Sequence, residues 1–143
     1  MSSILTTGTE MWDLLKKVRT IAVVGLSNDP ERPSYEVAAY LREQGYEIIP
    51  VNPNIEEWEG LKAYPSLSAI GRPVDMVDVF RRPEYVGDVV DDAIASGAGA
   101  VWMQLGVVND EAAARAAAAG ITVVVDRCAA IEHRRMIAAE KRR

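Results

Sequence analysis

Four arginines, Arg32, Arg81, Arg82 and Arg127, each stand just after an apolar run that reads as a buried strand. Their guanidinium forks suit carboxylate or phosphate oxygens, which they can hold in paired hydrogen bonds. Beside the first of them lies a glycine turn. The run Thr20-Ile-Ala-Val-Val-Gly25 passes through Leu26-Ser-Asn-Asp-Pro-Glu-Arg-Pro-Ser34 into an amphipathic stretch starting near Tyr35. A strand, a glycine turn and a helix N-terminus gather backbone N–H groups and the positive end of a helix dipole, which favours a phosphate. The chemistry these residues offer is anion capture.

The loop departs from the usual dinucleotide fingerprint. After Gly25, Ser27 takes the place of the second fingerprint glycine and Pro30 that of the third, and Arg32 adds a cation. An NAD enzyme also places Asp or Glu after its second strand, to hold the ribose 2′-hydroxyl. Asn52-Pro53 stands there instead. A carboxylate would repel a ribose that carries its own phosphate, so its absence admits one. NADP and coenzyme A both meet that requirement. A complete dehydrogenase would also need a substrate domain, for which the chain has no room.

The composition narrows the remaining classes. The chain has 143 residues, 49% apolar and 26% charged, with a formal net charge of −5. That size suits one domain spanning 1–143, and the acidic balance argues against nonspecific nucleic-acid binding. With a single cysteine, Cys128, no internal disulfide is possible, which fits a reducing compartment. Met1–Thr9 lacks the pattern of a signal peptide and no apolar run is long enough for a membrane span, so a cytoplasmic location is expected.

Few residues suggest catalysis. One His and one Cys cannot build a zinc site of the usual kind. There is no nucleophile elbow and no Walker loop. His133 falls within Ala130-Ile-Glu-His-Arg-Arg-Met136, which reads as a helix with no loop to present it to a phosphate. We expect no catalytic residue and no metal. Trp12, Trp58 and Trp102 read as packing residues.

These groups need a scaffold, and the hydrophobic pattern supplies one. Met11, Leu14, Leu15 and Val18 have helical spacing. Strands are expected at Thr20–Gly25, Glu47–Val51, Asp75–Phe80, Ala100–Met103 and Ile121–Val125. Helices are expected from about Ser34 to Gln44, closed by Gly45, from Pro83 to Ser96, from Asn109 to Gly120, and from about Ala129 to the basic tail. Pro50 removes a ladder donor, so the second strand is expected to be short or bulged there. Asn54–Gly71 reads as irregular, with at most a short strand near Ala63-Tyr64 and a helical turn at Ser66–Ile70. The alanine-rich helix Asp110–Ala119 could pack against a copy of itself or face the sheet.

Alternating buried strands and helices imply a Rossmann-like α/β fold: a doubly wound parallel sheet of five or six strands with helices on both faces. Ligands in such sheets sit beyond the carboxyl ends of the strands, where strand order reverses. The loops after the five strands should therefore meet.

At this point the motifs resemble a family. Ile21-Ala-Val-Val-Gly-Leu-Ser27, Arg32-Pro-Ser-Tyr35, Ile49-Pro-Val-Asn-Pro53, Val77-Asp-Val-Phe-Arg-Arg82, Val101-Trp-Met-Gln-Leu-Gly106 and Asp126-Arg-Cys128 are similar to those of small stand-alone bacterial CoA-binding proteins. These are relatives of the CoA-binding domain of succinyl-CoA synthetase α subunits. The resemblance runs from about Met11 to Met136. It implies a Rossmann-type fold and coenzyme A or an acyl-CoA as ligand. Together with the basic ligand edge it leads us to expect a bacterial, cytoplasmic protein that serves as a non-catalytic carrier, sensor or partner of an acyl-CoA enzyme. The alternative is an NADP-linked oxidoreductase or a subunit of an acyl-CoA ligase.

Carried over to this chain, the resemblance implies that Gly25, Ser27, Asn28, Arg32 and Ser34 hold the pyrophosphate or the 3′-phosphate. Ser34 also reads as a helix cap. Asn52 and Pro53 would border the adenosine. Phe80, Arg81 and Arg82 would flank the nucleotide, and Gln104 and Gly106 would line the pantetheine path. For Cys128 two roles are open: a mixed disulfide with the CoA thiol, or simple packing under the last helix.

Overall fold

The computed structural model describes residues 3–142, so Met1, Ser2 and Arg143 of the expected unit lie outside the described residues. Five strands, β1 (Thr20–Val24), β2 (Glu47–Val51), β5 (Met76–Val79), β6 (Ala100–Met103) and β7 (Thr122–Val124), form one parallel sheet in the order β2-β1-β5-β6-β7. Helices cover both faces, which makes the fold doubly wound and Rossmann-like. A small antiparallel pair, β3 (Glu57–Trp58) with β4 (Leu61–Lys62), lies outside the main sheet.

Side-chain alternation sorts the core into two halves. Val77, Val79, Val101, Met103 and Val123 face α3 (Val86–Ser96) and α4 (Asp110–Ala118). Ile21, Val23, Met76, Trp102 and Val124 face α1 (Gly8–Lys17), α2 (Pro33–Glu43) and α5 (Ala129–Lys141). Near-continuous burial on both faces is what gives the strands their unbroken apolar runs. The alanines of α4 find their use inside the chain: Ala112, Ala113 and Ala116 are buried in the first half of the core.

Two local expectations change. Strand β2 is neither shortened nor bulged at Pro50, since it pairs with β1 continuously from Thr20–Glu47 to Val24–Val51. Its odd-numbered residues bond to β1, through Glu47 N to Arg19 O and Val51 O from Gly25 N. Pro50 therefore turns its missing N–H to the outer edge, where its carbonyl accepts from Tyr64 N at 2.9 Å. The Asn54–Gly71 segment is more ordered than expected. Glu59 (φ 48°) and Gly60 (φ 79°) make the tight turn between β3 and β4, with both central residues left-handed as such hairpins require.

The edges are closed locally. Tyr64 bridges to Val51 beside β2, and Ile4 bridges to Val123 beside β7. Helix α1 begins three residues before its expected start, at Gly8, because Thr7 and Glu10 form a capping box. Below the sheet, Asp75 accepts hydrogen bonds from Arg19 N at 2.7 Å and Thr20 N at 3.1 Å, fixing the start of β1 against β5. Trp12, Trp58 and Trp102 are all buried packing residues. Among the described residues no helix is long and apolar enough to cross a membrane.

Candidate functional site

Strand order reverses between β1 and β5: the chain moves outward from β1 to β2, then returns to the other side of β1. The loops after β1 and β5 diverge there, and a crevice opens above the sheet. A cavity of about 550 Å³ occupies it. Its wall includes Gly25, Ser27, Arg32 and Ser34 from the first loop and helix, and Phe80, Arg81 and Arg82 from the second. Gln104 and Gly106 come from the loop after β6, and Cys128 from the end of the loop after β7. Nine of the twelve expected site residues thus share one wall.

Gly25 makes the close approach possible. Its φ is +89°, and a Cβ at this position would stand 2.4 Å from Phe80 O. Only glycine fits. Beyond the turn, Ser34 lies one residue inside α2 rather than at its cap: Arg32 is the N-cap and Pro33 fills the first helical position. The Ser34 hydroxyl instead accepts from Ser27 N at 3.0 Å, drawing the loop over the helix end. Proline suits this position because the first helical N–H has no partner inside the helix. The amides of Tyr35 and Glu36 return to Arg32 O. The Ser34 N–H, with the helix dipole behind it, is the donor left at this end.

The cations converge without being neutralised. Arg81 lies over the Tyr85 ring at 5.0 Å, and neither Arg81 nor Arg82 pairs with a carboxylate among the described residues. Among the described residues Arg32 has only a long contact of 3.9 Å to Asp29 on the exposed rim. Such an exposed pair is weak and exchanges readily for a better anion. Arg127 stands apart, offering its backbone: its N–H donates to Met103 O and its carbonyl accepts from Trp102 Nε1.

Three expected residues are not on this wall. Asn28 donates through Nδ2 to Glu57 O at 3.0 Å, tying the first loop to the β3–β4 hairpin. Asn52 donates to Leu26 O at 3.0 Å and accepts from Asn54 N at 2.9 Å. Both are braces for the loop, and short amide side chains are suited to such local bonds. Pro53 lines a smaller neighbouring cavity of about 170 Å³. Gly25 and Arg81 belong to both cavities, so the two adjoin.

The structure also adds residues. Val37, Leu105 and Val107 give the larger cavity an apolar side, with Leu105 60% exposed at its mouth. Beneath Gln104 lies Asp78, fully buried in the centre of β5. Gln104 Nε2 donates to Asp78 Oδ1 at 2.5 Å, while Oδ2 has no hydrogen-bond partner among the described residues. Desolvation pushes the Asp78 pKa up to about 7, with the bond from Gln104 opposing the shift. The signal in the sequence was a carboxylate inside the apolar run Met76-Val-Asp-Val79.

His133 lies in α5, away from the cavity wall. Its Nδ1 is 2.8 Å from Tyr40 Oη, and Trp12, Tyr40 and Tyr46 meet its ring edge-on. Burial lowers its pKa. This cluster joins α1, α2 and α5.

Comparison with known proteins places the chain in a family. Residues 19–134 match the family model described as a CoA binding domain. The uncharacterized protein YneT of Bacillus subtilis is 43% identical over 124 residues, covering 87% of this chain and 92% of that protein. A hypothetical protein of Pyrococcus horikoshii has a similar solved structure, with TM-score 0.89, 39% identity, and coverage of 92% of this chain and 93% of that one. The α subunit of an ADP-forming acetate–CoA ligase from Pyrococcus furiosus is 42% identical over 77 residues, which are 53% of this chain but 17% of the ligase subunit. Taken with the crevice and its arginines, these matches establish that the chain belongs to the CoA-binding domain family.

Proposed function

We propose that this protein binds coenzyme A or an acyl-CoA and serves as a carrier, a sensor or the partner of an acyl-CoA enzyme, without a reaction of its own. The observation that carries this reading is the convergence of Arg32, Arg81 and Arg82 on one cavity, with Arg81 and Arg82 free of carboxylate partners among the described residues. Coenzyme A brings a pyrophosphate and a ribose 3′-phosphate, and bound phosphate would relieve the repulsion among these cations. The Gly25 turn and the α2 N-terminus are suited to the pyrophosphate. The smaller cavity at Pro53 suits the adenosine, and Gln104 and Gly106 suit an extended pantetheine chain.

The family membership and the similarity to an acetate–CoA ligase subunit support the same ligand. A bacterial cytoplasm fits this reading, as does a homo-oligomer or an acyl-CoA enzyme as partner. The decisive measurement is calorimetric titration with coenzyme A, acetyl-CoA and NADPH. The reading expects either CoA compound to bind more tightly than NADPH. No binding of a CoA compound at millimolar concentration defeats it. NADPH is the informative competitor because Asn52 leaves room for the phosphorylated ribose of either nucleotide.

A further inference from the structure

Asp78 is an expensive residue in its place. A carboxyl group in the central strand of a parallel sheet loses its hydration, and the loss is tolerated only when hydrogen bonds replace it. Here the replacement is half complete, because Oδ1 accepts from Gln104 Nε2 and Oδ2 has no partner among the described residues. A group kept for sheet stability alone would be better as valine, like its neighbours Val77 and Val79. What the carboxylate does is hold Gln104. That side chain is 3% exposed yet lines the cavity. Its Nε2 is committed to Asp78, and no hydrogen bond to its amide oxygen Oε1 is found among the described residues.

We propose that Asp78 is a positioning residue that fixes the Gln104 amide with its oxygen toward the cavity, so that the site selects a ligand chain carrying an N–H or S–H donor at that depth. The inference rests on the coenzyme A reading and deepens it. Pantetheine carries amide N–H groups and ends in a thiol, whereas a plain nucleotide offers no such donor beyond its base and sugar.

The ionisation of Asp78 governs how firmly the amide is held. An ionised carboxylate can only accept, so it demands Nε2 and leaves Oε1 outward. A protonated carboxyl can donate to Oε1 and allow the amide to turn. With the pKa near 7, the change falls within an accessible range. The groups around Asp78 do not compete. Val23 and Trp102 flank it in β1 and β6. Helices α1 and α2 bring apolar side chains and Ser34 to this face. From α5 come Glu132, paired with Arg135 at 3.2 Å, and His133, bonded to Tyr40. Cys128, Arg32, Arg81 and Arg82 are the titratable groups on the cavity wall.

The test compares wild type with Asp78→Asn and Asp78→Val by coenzyme A calorimetry at pH 6 and pH 8 (roughly one unit either side of the Asp78 midpoint). Coenzyme A phosphates titrate as well, but equally for wild type and the Asn variant, so the ratio of their affinities isolates residue 78. That ratio should rise about three- to tenfold from pH 6 to pH 8, the worth of one hydrogen bond. The Val variant should melt at a higher temperature and bind about tenfold more weakly. A constant ratio, or a Val variant that melts lower with unchanged affinity, overturns the inference and leaves the coenzyme A reading standing. Wild type that binds no coenzyme A at either pH overturns both.

Discussion

Gly25 and Phe80 meet backbone to backbone at the switch point, with room for a hydrogen on Gly25 but not for a methyl group, which would stand 2.4 Å from Phe80 O. The positive φ of +89° adds strain for any other residue. Gly25→Ala should therefore destabilise the fold by about 3 kcal/mol, combining a left-handed penalty of about 1 kcal/mol with displacement of the β5 loop. Urea denaturation checks the stability, and a coenzyme A titration should show weaker binding in the same variant. Unchanged values for both would mean that the two loops part freely.

Among the described residues Arg81 and Arg82 make no ion pair that the fold needs. Replacing either by Ala should leave the melting temperature within about a degree or two, since exposed changes of this kind fall within about 0.5 kcal/mol. Coenzyme A affinity should fall about tenfold or more for each, the usual worth of a charge-assisted hydrogen bond. The effect should shrink as salt is added, because screening weakens exposed charge pairs. Calorimetry at low and high salt measures both.

Cys128 shares the cavity wall with Gln104 and Gly106. Bound coenzyme A should shield it. Alkylation by iodoacetamide, followed by intact mass, is expected to slow about tenfold when the ligand is saturating. An undiminished rate under saturation would place the ligand elsewhere.

Asp75 and Asp78 lie three residues apart and should respond to pH in opposite senses. Backbone donors from Arg19 and Thr20 lower the Asp75 pKa below its ordinary 3.8, so its stabilisation is fully present above 3.8 and is lost as pH falls from there through the lower folded-state value. Asp78 is raised to about 7, so the folded state holds a proton that the unfolded chain has released. Its contribution to stability declines as pH rises from about 4 to about 7. Urea unfolding across pH 3–8 should show Asp75→Asn losing its deficit in acid. Over the same range Asp78→Asn should gain on wild type toward neutral pH. Parallel curves for all three proteins would contradict both assignments.

Much of the architecture is legible in the sequence because burial on both faces of a parallel sheet leaves unbroken apolar runs, and Gly45, Gly97 and Gly120 mark where α2, α3 and α4 stop. Pro50 misled because a sequence does not say which edge of a strand is exposed. The β3–β4 hairpin escaped notice because its strands are two residues each, though the Glu59-Gly60 turn was present to be read. Arg32, Arg81 and Arg82 met as expected, since loops after parallel strands must emerge on one side. Asn28 and Asn52 lie in the right loops, but whether a short amide faces a ligand or its own backbone depends on a hairpin that was not foreseen. Asp78 was hidden for another reason. Its partner Gln104 is 26 residues away, and only the register of β5 with β6 brings them together.

The loop braces have a further consequence. Asn28 fastens the first loop to the hairpin, Asn52 fastens it again from β2, and Asp126, itself held at φ 59°, takes the Gly106 N–H at 2.7 Å. A pocket whose walls are already tied down surrenders little conformational freedom when an occupant arrives, so more of each contact survives as affinity. Cutting one tether, as in Asn28→Ala, should thus weaken capture from a distance, through entropy, since Asn28 lies outside the cavity wall.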